Sequence, residues 1–171
     1  VAARDALRRS IQADPSYAPA WASLAGSFVA AGDHGDEAIQ AAETAHRLLP
    51  ARTDVTANLL RTYLAAGRRA DAVALAEQAF ASDLDGQRMA LRMIVRSDVD
   101  RARRLIEDGR LEEALTALDQ AEVALARLPD DDLVRRHIES LRSSIVDARL
   151  TQRYNQAVHR YNSGDVDGAR E

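Results

Sequence analysis

The sequence predicts an all-α protein built from repeated helix–turn–helix units, and three observations support this class. Apolar residues in the stretch 15–50 recur at steps of three and four residues, which places them on one face of a helix. A turn containing Gly32 and Gly35 divides that stretch into two helices. Aromatic residues make up 4% of the chain and hydrophobic residues 46%. Alanine and leucine therefore supply most of the apolar surface, and small alanines allow helices to pack closely.

The first element is predicted within residues 1–14. Ala3, Leu7 and Ile11 lie one helical turn apart, and Pro15 follows the segment as a helix-ending signal. We interpret this segment as the second helix of a truncated preceding repeat.

A first complete unit is predicted at residues 15–50. Its first helix, 18–31, carries Pro19 near the start, where a missing amide hydrogen costs nothing. Its second helix is predicted at 36–49 and ends before Pro50. The residues expected to face the core are apolar or small: Trp21, Leu24, Ala25, Phe28, Ala38, Ala42 and Ala45.

A second unit is predicted at residues 51–84. Thr53 or Asp54 is expected to cap its first helix, which ends before Gly67. Its second helix is predicted at 70–82. The residues expected to face the core are Leu59, Tyr63, Ala72, Ala76 and Ala79.

The two units share one pattern of residue types, carried by Trp21, Leu24, Ala25, Phe28, Gly32, Ala38, Ala42, Ala45 and Pro50 and then by Leu59, Tyr63, Gly67, Ala72, Ala76 and Ala79. This pattern resembles the tetratricopeptide repeat, in which ~34 residues separate equivalent positions; Gly32 and Gly67 are 35 apart. Thr56 departs from the family pattern by replacing an aromatic residue, and Leu84 by replacing a closing proline. The resemblance implies a right-handed α-solenoid of antiparallel helix pairs.

The unit at residues 85–129 lengthens the pattern. Ala114 takes the place of Ala72 after 42 residues. The helix predicted at about 87–108 is therefore roughly two turns longer than its counterparts, and we expect its extra length to project beyond the stack or to bend around it. The helix that follows carries a leucine stripe: Leu111, Leu115, Leu118, Leu125 and Leu128.

Residues 130–171 are predicted to form one long helix that leads into a truncated repeat. The three aspartates at 130–132 favour a helix start, and residues 133–163 contain no proline or glycine. The front half carries an apolar stripe expected to pack on the preceding leucines: Val134, Ile138, Leu141, Ile145 and Ala148. A second apolar stripe is expected to be rotated only slightly from the first and to begin the next repeat, which Gly164 and Ala169 indicate. The stripe consists of Leu150, Tyr154, Ala157 and Tyr161.

Charge and composition narrow the classes of function. The net charge is −4 with acidic and basic residues interspersed, so no face resembles a phosphate track and we expect no nucleic-acid partner. The sequence contains no run of ~18 apolar residues, so we expect no membrane span. The absence of cysteine excludes disulfides and thiolate metal sites and leaves the compartment open between cytoplasm and periplasm.

All 23 basic residues are arginine. The plainer explanation is the codon composition of a GC-rich genome, for which we expect a bacterial source. The alternative is selection for bidentate recognition of carboxylate or phosphate groups.

No catalytic, cofactor or metal site is predicted. A zinc site needs three or four convergent ligands, and the four histidines share no ligand spacing: His34, His46, His137 and His159. The segments 83–86 and 165–168 look like openings of calcium loops but lack the third acidic ligand and the distal glutamate, so we interpret them as turns. We therefore expect a chain that is not an enzyme and binds no cofactor.

The resemblance implies a function in protein binding. In tetratricopeptide proteins the first helix of each pair lines a concave groove that commonly holds a peptide, a helix or a partner subunit. The groove candidates are polar residues on first helices: Asn58, Arg61, Arg96, Arg103, Asn155 and Asn162. Asparagine can hydrogen-bond an extended backbone and arginine can pair with a carboxylate, although each can equally be an ordinary solvated residue.

One family subtype is disfavoured. Members that clamp the carboxylate tail of chaperones carry a lysine directly after the Trp21 position and an asparagine four residues further on, where this chain has Ala22 and Gly26. Asn58 matches one clamp position. Two alternatives to a peptide-binding scaffold remain open: a regulatory or docking segment of a larger multidomain enzyme, and a structural subunit of an assembly.

Overall fold

The computed structural model describes residues 2–128 and 131–163. In those ranges it contains eight α-helices and no strand, which confirms the all-α class. The helices are α1 (Ala2–Ala13), α2 (Ala18–Ala31), α3 (Asp36–Leu48), α4 (Thr53–Ala65), α5 (Arg69–Ala79), α6 (Leu84–Glu107), α7 (Leu111–Leu125) and α8 (Asp132–Asn162). The chain divides into two compact units, Val1–Ser97 and Asp98–Glu171, and the boundary falls within α6.

Three helices end in the same kind of turn. Gly32, Gly67 and Gly109 have φ values of 66°, 76° and 75°, a left-handed conformation that glycine adopts without strain. In each turn the amide after the glycine donates to a carbonyl five residues earlier, as the amide of Arg68 does to the carbonyl of Tyr63 at 2.8 Å. The breaks predicted at Gly32 and Gly67 are therefore present, and the turn at Gly109 shares their hydrogen-bonding pattern.

The core of the first unit is formed by the residue pattern predicted for it. Leu24 and Phe28 on α2 are buried, and so are Ala45 on α3 and Leu59 on α4. Helix α2 packs against α1, α3 and α4, and α4 packs against α2, α3 and α5. Trp21 departs from its predicted core position, because it is only half-buried and its indole N–H donates to the carbonyl of Pro15 at 2.8 Å.

The contacts between α3 and α4 run in opposite order along the two helices. His46 Nδ1 lies 3.1 Å from the Thr56 hydroxyl, whereas Glu43, earlier on α3, accepts a hydrogen bond from Tyr63, later on α4, at 2.9 Å. Thr56 is buried although it replaces an aromatic residue of the repeat pattern. Its hydroxyl also lies 3.2 Å from the Arg52 carbonyl oxygen, so its polar group has partners.

Arginine side chains fasten α1 to the helices that follow it. Arg4 donates to the hydroxyl and carbonyl oxygens of Ser27 at 3.1 and 2.8 Å, and its guanidinium carbon lies 4.1 Å from the centre of the Phe28 ring. Arg8 binds both carboxylate oxygens of Glu37 at 2.6 and 2.8 Å. These contacts supplement a modest apolar interface, since Leu7 is half-buried in the protein.

The junction between α5 and α6 differs from its prediction. Helix α5 ends at Ala79, which is exposed, and Phe80 is buried in its place. The Phe80 ring lies against Gly86, where no side chain obstructs it. Asp83 accepts hydrogen bonds from the amides of Asp85 and Gly86 at 3.2 and 3.0 Å, which starts α6 three residues before the predicted 87.

The side-chain cap predicted for α4 is wrong, and the cap predicted for α8 lies partly outside the described residues. Thr53 is the first residue of α4, no side chain caps that helix, and Asp54 instead binds Arg52 at 3.0 and 2.6 Å. Of the aspartates at 130–132, Asp130 lies outside the described residues. Asp131 precedes α8 without a capping hydrogen bond from its side chain, and Asp132 lies in the first turn.

In the second unit, the front half of α8 packs on α7 as predicted. Leu118 and Leu125 on α7 are buried, as are Ile138 and Ile145 on α8. The polar contacts again run in opposite order along the two helices. Arg142 pairs with both Asp119 and Glu122, whereas Arg149, about two helical turns later, pairs with Glu112 at the start of α7.

The second stripe of α8 does not lie where it was expected. Leu150, Tyr154 and Tyr161 are 59%, 71% and 64% exposed. At about 100° per residue, these side chains lie about 140–180° around the helix from Ile145, so the expected slight rotation was wrong. Gly164 and Ala169, which were predicted to announce a further repeat, lie outside the described residues.

Candidate functional site

Asn58 and Arg61 lie one turn apart on α4, at the edge of its buried stripe. The stripe includes Val55, Leu59 and Thr62, which are buried, whereas Asn58 is half-buried and Arg61 is exposed. The spacing of three residues places these two side chains side by side on the helix surface. The structure therefore brings together two of the six predicted groove residues.

The two side chains form one hydrogen-bonded arrangement against α2. Arg61 Nη1 donates to Asn58 Oδ1 at 2.9 Å. The Asn58 amide nitrogen faces Gly26 on α2, where a Cβ atom would lie 3.8 Å from it. Because Gly26 has no side chain, the α2 backbone is open beside the Asn58 amide.

This arrangement leaves hydrogen-bond donors without protein acceptors. Within the described ranges, the Asn58 amide nitrogen makes no hydrogen bond and Arg61 contacts no carboxylate. Other arginines of the first unit differ, since Arg8 pairs with Glu37 and Arg52 with Asp54. The Arg61 guanidinium therefore keeps an uncompensated positive charge, while its orientation is set by Asn58.

A neighbouring cluster on α3, α4 and α5 is compensated internally. Tyr63 donates to Glu43, and Arg68 donates to Glu43 at 3.1 Å and to Asp71 at 2.6 Å, with its guanidinium 4.6 Å from the centre of the Tyr63 ring. Burial, together with the hydrogen bond to Glu43, raises the pKa of Tyr63 to about 12. Tyr63 therefore stays protonated as a donor, and the cluster joins helices without an unpaired charge.

The remaining predicted residues occupy different places. Arg96 and Arg103 are both exposed on α6, Arg96 in the first unit and Arg103 in the second. Arg103 Nη2 lies 3.2 Å from Nε2 of His137. Because a guanidinium can only donate, Nε2 of His137 would be the acceptor in this contact. Arg103 is thus engaged within its own unit.

Asn155 and Asn162 are exposed on the back half of α8. Asn155 follows His137 by 18 residues on one helix, which corresponds to roughly 27 Å along its axis. The structure therefore does not bring Asn155 near the contact between Arg103 and His137.

Sequence reasoning missed two features of these surfaces. Gly26 was noted only as a departure from the chaperone clamp, although an isolated glycine inside a helix often has a packing or functional reason. The outward direction of Leu150 and Tyr154 was also missed, although counting about 100° per residue from Ile145 would have revealed it.

Among residues 2–128 and 131–163, no three His, Asp or Glu side chains come together as a set of metal ligands. His34 Nδ1 is buried and makes no hydrogen bond to any described residue, and the adjacent Asp33 pairs with Arg4. None of the described helices has the length and apolar character needed to cross a membrane.

In comparisons with known proteins, no family model matches the sequence and no curated protein gives a significant match. The resemblance to tetratricopeptide repeats therefore rests on the residue pattern and on the repeated turns.

Proposed function

We propose that this chain is a non-catalytic scaffold that binds an extended acidic peptide of a partner protein on the surface formed by Gly26, Asn58 and Arg61. The observation that carries the proposal is the Arg61 guanidinium, which Asn58 orients at 2.9 Å and which contacts no carboxylate among the described residues. A fixed arginine without a counter-ion suits a carboxylate ligand, because charge-assisted hydrogen bonds are the stronger class.

The helix arrangement supports a tetratricopeptide-like stack in the first unit. Helix α2 packs on both α3 and α4, so two first helices lie side by side. The contacts of α3 with α4 run in opposite order, as expected for antiparallel neighbours. A right-handed solenoid of such pairs has a concave side lined by first helices, and Gly26 and Asn58 belong to two of them.

The chemistry assigns a separate role to each residue. The Asn58 amide donates to a backbone carbonyl of the peptide. Arg61 binds a carboxylate, either of a side chain or of a C-terminus. The missing side chain at Gly26 lets the peptide approach the backbone of α2.

A peptide array tests this function. The probe is a set of ten-residue peptides with one to three Asp or Glu residues, each paired with a counterpart carrying Asn or Gln at those positions. We expect the acidic members to bind more tightly, and Arg61→Ala to weaken their binding about 10–100-fold, since a hydrogen bond to a charged group contributes about 1.5–3 kcal/mol.

Arg52→Ala is the matched control. Arg52 precedes the same helix and is exposed, but its guanidinium is already paired with Asp54. Binding by Arg52→Ala should equal that of the unchanged protein. Equal binding of acidic and neutral peptides, or an Arg61→Ala variant that binds as well as Arg52→Ala, would overturn the proposal.

A further inference from the structure

The back half of α8 carries an exposed apolar surface, which we term the α8 apolar face: Leu150, Tyr154, Val158 and Tyr161. These side chains are 59%, 71%, 39% and 64% exposed. Their spacing of four, four and three residues aligns them along roughly three helical turns. They lie about 140–220° around the helix from the buried Ile145, so they point away from the surface that contacts α7.

The face extends past the start of α7. Arg149 pairs with Glu112, which lies in the first turn of α7, and α7 runs in the opposite order to α8. The residues that follow Arg149 therefore continue beyond the end of their neighbour. The face is exposed within the second unit because it points away from the side of α8 that packs on α7.

Charged and polar residues flank the face in an ordered way. Arg153 and Arg160 lie roughly 100° to one side of its centre, and Asn155 and Asn162 lie at a similar angle on the other side. Residues 148–163 contain no aspartate or glutamate. Arg153 makes no ion pair within the described part of the chain.

The contact between α7 and α8 shows which groups the arginines along this edge of α8 bind. Arg142, Arg149 and Arg160 recur at seven or eleven residues and lie along nearly one line on α8. The first two of these arginines already pair with carboxylates on an amphipathic helix, α7, whose leucines are buried beside them. Arg153, which lies within about 40° of this line, continues the edge where α7 is absent.

We propose that the α8 apolar face binds an amphipathic α-helix of a partner protein, with apolar side chains on the face and an acidic edge toward Arg153. A second copy of this face would offer a single nearby carboxylate within α8, that of Asp147, because residues 148–163 contain none. The surface is separate from the one that carries Arg61, so this proposal stands independently of the peptide site.

The experiment uses two designed 18-residue amphipathic helices with the same leucine and alanine face, one with a glutamate edge and one with a lysine edge. Fluorescence anisotropy with the full chain should show binding at least about tenfold tighter for the glutamate-edged peptide. Arg153→Glu should remove or reverse that preference. Tyr154→Ser should weaken the binding of the glutamate-edged peptide by about tenfold.

Two control variants locate the effect. Val123→Ser removes a side chain that is 72% exposed on α7 outside the face, and it should leave binding unchanged. Arg61→Ala should also leave it unchanged, so failure of this proposal is distinguishable from failure of the peptide site. Melting temperatures of Arg153→Glu and Tyr154→Ser should match that of the unchanged protein, because both side chains are exposed.

Three results would overturn the proposal. The first is equal affinity for the two peptides, or a preference that Arg153→Glu does not alter. The second is concentration-dependent dimerisation of the chain alone that Tyr154→Ser abolishes, which would make a second copy the occupant. The third is Tyr154-dependent binding to phosphatidylserine vesicles without any preference between the peptides, which would make a lipid surface the occupant.

Discussion

Thr56 and His46 form a polar contact between α3 and α4. The Thr56 hydroxyl is buried, and it lies within 3.1 Å of His46 Nδ1 and 3.2 Å of the Arg52 carbonyl oxygen. The single hydrogen of this hydroxyl donates to the Arg52 carbonyl, which leaves the hydroxyl oxygen to accept from an N–H at His46 Nδ1. Burial favours the neutral imidazole, because it lowers the pKa of His46 below its ordinary value of 6.5.

The lowered pKa of His46 predicts a pH dependence of stability. Between the folded-state pKa and 6.5, the unfolded chain binds more protons at this residue, so the free energy of unfolding rises with pH in that window. The contribution of neutral His46 is complete above pH 6.5 and is lost as the pH falls toward the folded-state pKa. Melting temperatures between about pH 8 and about pH 5 should therefore fall more for the unchanged protein than for His46→Gln.

The comparison with His46→Gln isolates this group. Carboxylates titrate in both proteins, so their effect cancels in the difference between the two melting curves. Parallel pH profiles for the two proteins would contradict a role of His46 in acid sensitivity.

At the scale of helices and turns, two glycines have opposite structural roles. Gly67 ends α4 with φ of 76°, whereas Gly26 lies inside α2. A side chain at Gly67 would meet no atom within 4 Å, so only the backbone conformation penalises it. A Cβ at Gly26 would make one ordinary contact, 3.8 Å from the Asn58 amide nitrogen.

We expect alanine to change stability in opposite directions at these two glycines. Gly67→Ala should lower the free energy of unfolding by about 1–2 kcal/mol, the cost of a left-handed conformation for a residue with a Cβ. Gly26→Ala should raise it by about 0.5–1 kcal/mol, because alanine loses less conformational freedom inside a helix. Urea unfolding of both variants measures the pair, and changes of the same sign would show that one of the two local conformations is wrong.

Local sequence determines most of the helix boundaries, and tertiary contacts determine the others. Helix α2 occupies the predicted residues 18–31, because a glycine turn bounds it locally. The end of α5 was misplaced, because it depends on Phe80 packing against Gly86, which the sequence alone does not show. The candidate site divides in the same way. The spacing of Asn58 and Arg61 predicts their shared face, whereas the approach of Gly26 depends on how α2 and α4 pack.

At the scale of the whole chain, a buried alanine follows each turn glycine, six residues after Gly32 and five residues after Gly67 and Gly109. Ala38, Ala72 and Ala114 follow the three turns and are 2%, 0% and 0% exposed. The first two belong to the first unit and the third to the second. Small residues at buried positions allow a close approach of helix backbones, so we expect these three alanines to lie at similar helix contacts.

This equivalence predicts similar responses to one substitution in both units. Leucine at Ala38, Ala72 or Ala114 should lower the free energy of unfolding by about 1–3 kcal/mol in each case, because the added carbon atoms overpack a filled site. Ala74→Leu is the matched control, since Ala74 is exposed on the same helix as Ala72 and should change stability by less than about 0.5 kcal/mol. Urea unfolding measures all four variants. If one of the three buried alanines accepts leucine as readily as Ala74 does, its surroundings differ from those of the other two. The helix pairs would then not be repeats of one packing unit, and the tetratricopeptide-like interpretation of the chain would fail.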